Sequence, residues 1–249
     1  MDKSAPQIRK VKDPPKEKPR KELHPNLPQL PCIMTIVAPT KSGKTNLLSN
    51  LLLRDDFYKD VHDNITIMSN SIESDVTGRF LRQACDCYTG YSDEVLGGII
   101  TQQKSFSNED RPFIGLVFDD ILGSVKRNSY LNSLVTRSRH FGVGLLAISV
   151  QSFKSLGPVI RNNCNAFICL NLQNMSELDK ISDEMSGMFG GDEKFRRIYH
   201  EATSERYDFL YLDLQSNPSR AFKNFNQLLA EGDKLHFGGG SMEKNKLED

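Results

Sequence analysis

No stretch of this chain approaches the ~18 consecutive apolar residues of a membrane-spanning helix, and no signal-peptide h-region follows its first residues. It is expected to be soluble and not secreted. Cysteine is scarce and unpaired. Cys32, Cys85, Cys87, Cys164 and Cys169 form no CxxC pair and have no His at ligand spacing, which argues against a zinc module and for reduced thiols. Cys32, Cys164 and Cys169 lie in or beside apolar runs and are expected in the core. No internal repeat is present, so a solenoid is not indicated. Acidic residues are missing from one long segment. None occurs between Ile121 and Ser176, where Lys126, Arg127, Arg137, Arg139, Lys154 and Arg161 do. The formal net charge of zero conceals this asymmetry. Such a segment suits a polyanion, or a solvated surface balanced by acids from elsewhere; charge alone does not choose.

A chain of 249 residues with 38% apolar content suits one large α/β domain with tails. Residues 1–30 carry eight Lys/Arg against four Asp/Glu, with prolines at 14, 15, 19, 25 and 28. That composition reads as a disordered or extended basic arm, either a contact for nucleic acid or a partner, or a solvated tail. Residues 231–249, with Gly238-Gly239-Gly240, read as a flexible tail. Residues 31–230 are expected to form one domain, with 172–230 as its C-terminal extension.

The chain is organised around Ala38-Pro39-Thr40-Lys41-Ser42-Gly43-Lys44-Thr45. The apolar run Ile33 to Val37 precedes it and a helical pattern from Asn46 to Leu53 follows. Strand, phosphate loop and helix are thereby predicted, matching G-x-x-x-x-G-K-[ST] at every defined position but the first, where Ala38 replaces Gly. Loop N–H groups and the helix N-terminus suit phosphate oxygens. Lys44 is placed to reach the β/γ-phosphates of ATP and the Thr45 hydroxyl to ligate Mg²⁺.

Further apolar runs predict strands at 65–68, 113–118, 143–150 and 165–170, and a short one around Cys87-Tyr88. Helical segments are expected at 73–84, 92–104 and 128–138. The alternation implies a mainly parallel sheet with helices on both faces. Helices at 176–187 and 191–202, an alternating strand over 207–213 and a short partner near 219–222 follow.

The strand ending in Phe118-Asp119-Asp120 has the form of a Walker B element. Asp119 is the expected magnesium acid and Asp120 the candidate to orient or deprotonate the attacking water; acids also start turns after strands. Gln151 closes the next strand, where its amide can sense the γ-phosphate or hold a loop. Arg161 is a candidate arginine finger, and Arg137 and Arg139 compete with it for that role or for DNA phosphates. Each of the three arginines also fits a surface ion pair.

Together, Ala38 to Thr45, Phe118-Asp119-Asp120, Ser138 to Gly142, Val150-Gln151-Ser152 and Ile160 to Asn163 resemble the genome-packaging ATPases of large DNA viruses and virophages, relatives of the HerA/FtsK translocases. The resemblance spans roughly residues 32–172. It implies a RecA-like P-loop NTPase core in a homo-oligomeric ring of five or six subunits. Such a ring threads double-stranded DNA into a preformed capsid using ATP and Mg²⁺, at a capsid vertex or portal, in the virion or the host cytoplasm. By position, it makes Lys44 and Thr45 the nucleotide and Mg²⁺ ligands, Asp119 and Asp120 the Walker B pair, Gln151 the sensor and Arg161 a candidate finger. Many relatives carry Gly and Glu where this chain has Ala38 and Asp120.

Two other classes share the phosphate loop. A nucleoside or nucleotide kinase would want an Arg-rich lid, and none is evident. A non-motor nucleotide switch needs no further motif. An ABC-type ATPase is disfavoured, because no LSGGQ-like segment precedes Asp119.

Overall fold

The computed structural model describes residues 21–125 and 129–232. The expectations for residues 1–20, for Lys126 and Arg127, and for 233–249 lie outside the described residues.

The predicted alternation is realised. Strand β1 (Cys32–Val37) enters the phosphate loop and α1 (Lys44–Leu53) leaves it. There follow β2 (Asn64–Ser69), α2 (Arg79–Ala84), β3 (Asp86–Thr89), α3 (Asp93–Ser105), β4 (Ile114–Asp119), α4 (Tyr130–Arg137) and β5 (Val143–Val150). Next come α5 (Pro158–Asn163), β6 (Ala166–Leu170), α6 (Met175–Met185) and α7 (Asp192–Ala202). The extension ends with β7 (Phe209–Asp213), β8 (Arg220–Lys223) and β9 (Gln227–Glu231).

All nine strands join one sheet in the order β3-β2-β4-β5-β1-β6-β7-β8-β9. The first six of that order pair in parallel; β6 to β9 pair antiparallel. β5 therefore lies between the loop-bearing β1 and the Asp-bearing β4. Strands β1, β4, β5, β6 and β7 are buried along their whole length, as continuous apolar runs covered on both faces should be. Alternate residues serve the two layers. Leu116, Phe118, Leu146 and Ile148 meet the helices α3 to α7, while Val117, Leu145 and Ala147 meet α1 and α2. Among the described residues no helix is long and apolar enough to cross a membrane.

Local chemistry explains where the elements depart from expectation. The segment 73–78 is turns rather than helix. Asp75 accepts from the Thr77 N–H at 2.8 Å, and the Ser71 carbonyl collects the Ser74 and Asp75 N–H groups, an Asx-type alternative to a helical ladder. The helix expected to start at 128 begins at Tyr130 and tightens into a 3₁₀ turn over Ser138–Phe141, ended by Gly142 at φ 66°. Helix α5 was not foreseen; Pro158 occupies its first turn, where a missing N–H costs nothing. Nor was β9, whose side chains are largely exposed and carry no core signal.

The basic arm was expected to run to residue 30, but residues 21–30 pack against the sheet. Leu27 is buried. The Tyr58 hydroxyl donates to the Pro28 carbonyl at 2.7 Å. Gln29 and Gln215 exchange two hydrogen bonds of 3.0 and 2.8 Å.

Candidate functional site

In a parallel sheet the loops after the strands share one edge. Here that edge gathers the phosphate loop after β1, Asn70 after β2, Asp120 after β4 and Gln151 after β5. The loop leaves β1 with the Ala38 N–H donating to the Val150 carbonyl at 2.9 Å, and Ala38 is fully buried. It turns at Pro39, whose carbonyl accepts from the Ser42 hydroxyl at 2.7 Å. Lys41 takes φ 63° and Gly43 φ 102°. The motif glycine is required at 43: a Cβ there would lie 2.9 Å from the Tyr207 ring, in a backbone region that L side chains rarely adopt.

Lys44 reaches across β5 to the acids at the end of β4. Its Nζ lies 3.0 Å from Asp119 Oδ1 and 3.6 Å from Asp120 Oδ2. Asp119 is buried and is held from both neighbouring strands. Register places Ser69 of β2 and Ser149 of β5 opposite it. The Ser69 hydroxyl donates to Oδ2 at 2.8 Å, and the Ser149 hydroxyl donates to Oδ1. A buried carboxylate is tolerable when both oxygens are partnered in this way.

Asp120 adopts a left-handed φ of 58°, a conformation Asp enters more readily than most residues. That turn brings its shorter side chain back over the edge. Its carbonyl accepts from Asn70 Nδ2 at 3.0 Å, and its carboxylate accepts from Gln151 Nε2. Gln151 Oε1 in turn accepts from the Thr40 hydroxyl at 3.3 Å. Thr40, Gln151 and Asp120 thus form one chain from the loop to the second carboxylate.

Thr45, the second residue of α1, faces Asp75. Burial pushes the Asp75 carboxyl up, but the Thr45 and Thr77 hydroxyls and the backbone N–H groups of Thr77 and Gly78 outweigh it and hold it below its ordinary 3.8. Among the described residues no cluster of three or more His, Cys, Asp or Glu forms a metal cage. The donors present, a hydroxyl at Thr45 and a carboxylate at Asp119, fit Mg²⁺, which favours one or two protein ligands supplemented by water and substrate phosphates.

The three candidate arginines lie apart from this edge. Arg161, in α5, is bound to Glu184 of α6, with its guanidinium 5.4 Å from the centre of the Phe153 ring. Arg137 ends α4 and Arg139 lies in the 3₁₀ turn that leads into β5, so the eight residues of β5, about 25 Å of strand, run between them and the edge that carries the phosphate loop. Neither can touch the nucleotide of its own chain. Both are exposed and line a cavity of about 240 Å³ with His140, Asn163 and Asn165. No acid lines it.

Ser69, Asn70, Asp75, Ser149 and Tyr207 were not singled out from the sequence. Serines at or next to the end of largely apolar strands, in Thr66-Ile67-Met68-Ser69 and Ala147-Ile148-Ser149-Val150, were the available signal for two of them. Tyr207 offered none.

No family model matches the chain, and no curated protein sequence does. Solved structures share its fold. The genome packaging NTPase B204 from Sulfolobus turreted icosahedral virus 2, in complex with ATP-gammaS, is 18% identical with a TM-score of 0.55, over 78% of this chain and 97% of that one. The DNA-packaging ATPase B204 from Sulfolobus turreted icosahedral virus is 17% identical with a TM-score of 0.55, over the same shares. The cytoplasmic domain of the Thermomonospora curvata type VII secretion ATPase EccC is 14% identical with a TM-score of 0.51, over 77% of this chain and 25% of that one. The shared element is the α/β P-loop NTPase fold.

Proposed function

We propose that this chain is an ATPase that translocates double-stranded DNA, as a ring of five or six copies packaging a viral genome into a preformed capsid. The observation that carries the ATPase reading is the convergence of Lys44, Asp119, Asp120 and Gln151 on one sheet edge beside the phosphate loop. Residues 31–230 form the motor domain in this reading, in the virion or host cytoplasm, docked at a capsid vertex. The likeness to packaging NTPases across nearly their whole length favours a motor over a kinase or a switch.

ATP places its phosphates against the N–H groups of residues 38 to 45 and the N-terminus of α1. Lys44 then exchanges its two carboxylate partners for β/γ-phosphate oxygens. Thr45 and Asp119 would hold Mg²⁺, which would supply charge neutralisation on the transferred phosphoryl group. Asp120 orients a water and takes its proton. The water oxygen bonds to the γ-phosphorus, the bond from that phosphorus to the β,γ-bridging oxygen breaks, and ADP leaves. Gln151, tied to Asp120 and to Thr40, senses whether the γ-phosphate is present. Arg161 of a neighbouring subunit completes charge stabilisation once it leaves Glu184.

Arg137 and Arg139 serve DNA phosphates in this reading. Among the described residues neither makes an ion pair, and the cavity they line has no acid. Steady-state ATP hydrolysis with and without long double-stranded DNA, at low and moderate salt, tests the proposal. Several-fold stimulation that weakens with salt is expected, and it should fall in Arg137→Ala/Arg139→Ala while basal turnover is unchanged. Turnover indifferent to DNA under all conditions would overturn the translocase reading and leave a kinase or switch.

A further inference from the structure

The edge described above accounts for phosphates and metal but offers nothing to a nucleoside. On the other side of β1, away from Asp119, a cavity of about 380 Å³ opens beside Gly43. Asn46 and Leu47 from the first turn of α1 form one wall. Tyr207, Phe225 and Asn226 from the C-terminal extension form the other. It is therefore continuous with the phosphate loop through Gly43.

Tyr207 stands out within it. Its ring packs directly on the motif glycine, 2.9 Å from the position a Cβ would take. It is held at φ 74°, an uncommon state for a bulky residue, and it remains 53% exposed although large and aromatic. The Arg206 guanidinium sits 4.7 Å from the ring centre. Tyr207 lines the cavity and Arg206 does not. Phe225 is backed by an aromatic group that includes Phe57, Phe209 and Tyr211, which fixes the apolar wall. Asn224 is not available as a reader, since its amide is engaged by the Phe209 N–H at 3.2 Å and by Asp208 at 2.9 Å.

We propose that this cavity receives the nucleoside of the bound nucleotide, with the Tyr207 ring as the stacking surface for the base and Leu47 and Phe225 as apolar contacts from the two walls. The proposal rests on the phosphate-loop reading and gives the C-terminal extension a role in it. Stacking on an aromatic ring serves any base through its π-face, and Asn46, Asn50, Arg54, Asp56 and Asn226, which also line the cavity, are polar groups of the kind that fix a ligand's orientation in such a subsite.

Calorimetric titration of the full chain with a non-hydrolysable ATP analogue and with inorganic tripolyphosphate, both with Mg²⁺, tests it. In the unaltered protein the analogue should bind at least tenfold more tightly than tripolyphosphate. Tyr207→Ala should weaken the analogue about tenfold, equivalent to about 1.4 kcal/mol, and leave tripolyphosphate unchanged. Tyr207→Phe should keep both affinities. Equal loss of both ligands in Tyr207→Ala, or loss of neither, would overturn the nucleoside subsite. Lys44→Ala is the separate control: it should weaken both ligands, and if it weakens neither, the phosphate-loop reading itself fails.

Discussion

Asp119 draws its orientation from residues on two other strands. Ser69 and Ser149 each fix one of its oxygens, so the carboxylate reaches the loop with a single geometry and Lys44 meets Oδ1 at 3.0 Å. Hydrogen bonds to charged groups contribute about 1.5–3 kcal/mol, and each ~1.4 kcal/mol lost from transition-state stabilisation is a tenfold loss of rate. Ser149→Ala is therefore expected to lower ATP turnover by roughly tenfold and to raise the Mg²⁺ concentration needed for half-maximal turnover, with the far-UV circular dichroism unchanged. Turnover and Mg²⁺ dependence equal to those of the unaltered protein would remove the serine from any positioning role.

At the scale of elements, α6 locks the segment that follows Gln151. Glu177, at its start, accepts from the Ser152 hydroxyl at 3.0 Å and the Phe153 N–H at 2.7 Å. Near its end, Glu184 holds Arg161 of α5. The segment next to Gln151, the candidate sensor, and Arg161, the candidate finger, thus share one helix, and a movement of α6 bears on both. Because Arg161 and Glu184 are partly solvated, their ion pair is worth no more than about 1 kcal/mol. Glu184→Gln should leave the melting temperature within a few degrees while freeing Arg161, so assembled protein keeps its turnover. Arg161→Ala should lose turnover in the oligomer. Turnover measured against protein concentration for both variants decides: loss in Arg161→Ala at dilutions where no oligomer forms would place the defect within one chain and count against a finger acting in trans.

At the scale of the molecule, one side chain ties three parts of the chain together. Arg220 of β8 donates to Asp213 of β7 at 2.7 Å and to the Pro25 carbonyl at 3.3 Å. Burial pushes the Asp213 carboxyl up, but Ser216, Arg220 and the Gln215 N–H outweigh it and hold it below its ordinary 3.8. A carboxyl lowered on folding stabilises the native state fully above its unfolded value and progressively less as pH falls toward its folded one. Asp213 is buried but Arg220 is partly solvated, so losing the carboxylate costs about 1.5 kcal/mol, the lower value for a hydrogen bond to a charged group. Asp213→Asn should lose about that much in urea unfolding at pH 7, and the gap to the unaltered protein should close below about pH 4. A constant gap down to pH 3 would show that the loss is one of packing rather than charge.

The sequence by itself determined the parts whose information is local. Six apolar runs, a phosphate loop at fixed spacing and two acids closing a strand are each written in a handful of neighbouring residues, and the parallel α/β core follows from their alternation. Turn chemistry around Asp75 and the short α5 blurred the helix boundaries, because a few side-chain hydrogen bonds or one proline outweigh a weak periodic pattern. What tertiary structure decided was pairing across the chain. Strand order inserts β5 between Lys44 and its carboxylates, and register sets Ser69 and Ser149 on either side of Asp119. It also sends Arg137 and Arg139 to the far edge and engages Arg161 with Glu184. Tyr207 arrives on Gly43 from 164 positions away, a contact made only when the extension folds back beside β6. Hydrophobic periodicity reports which face of an element is buried but not which neighbour covers it, and side chains that act across strands carry no spacing to read.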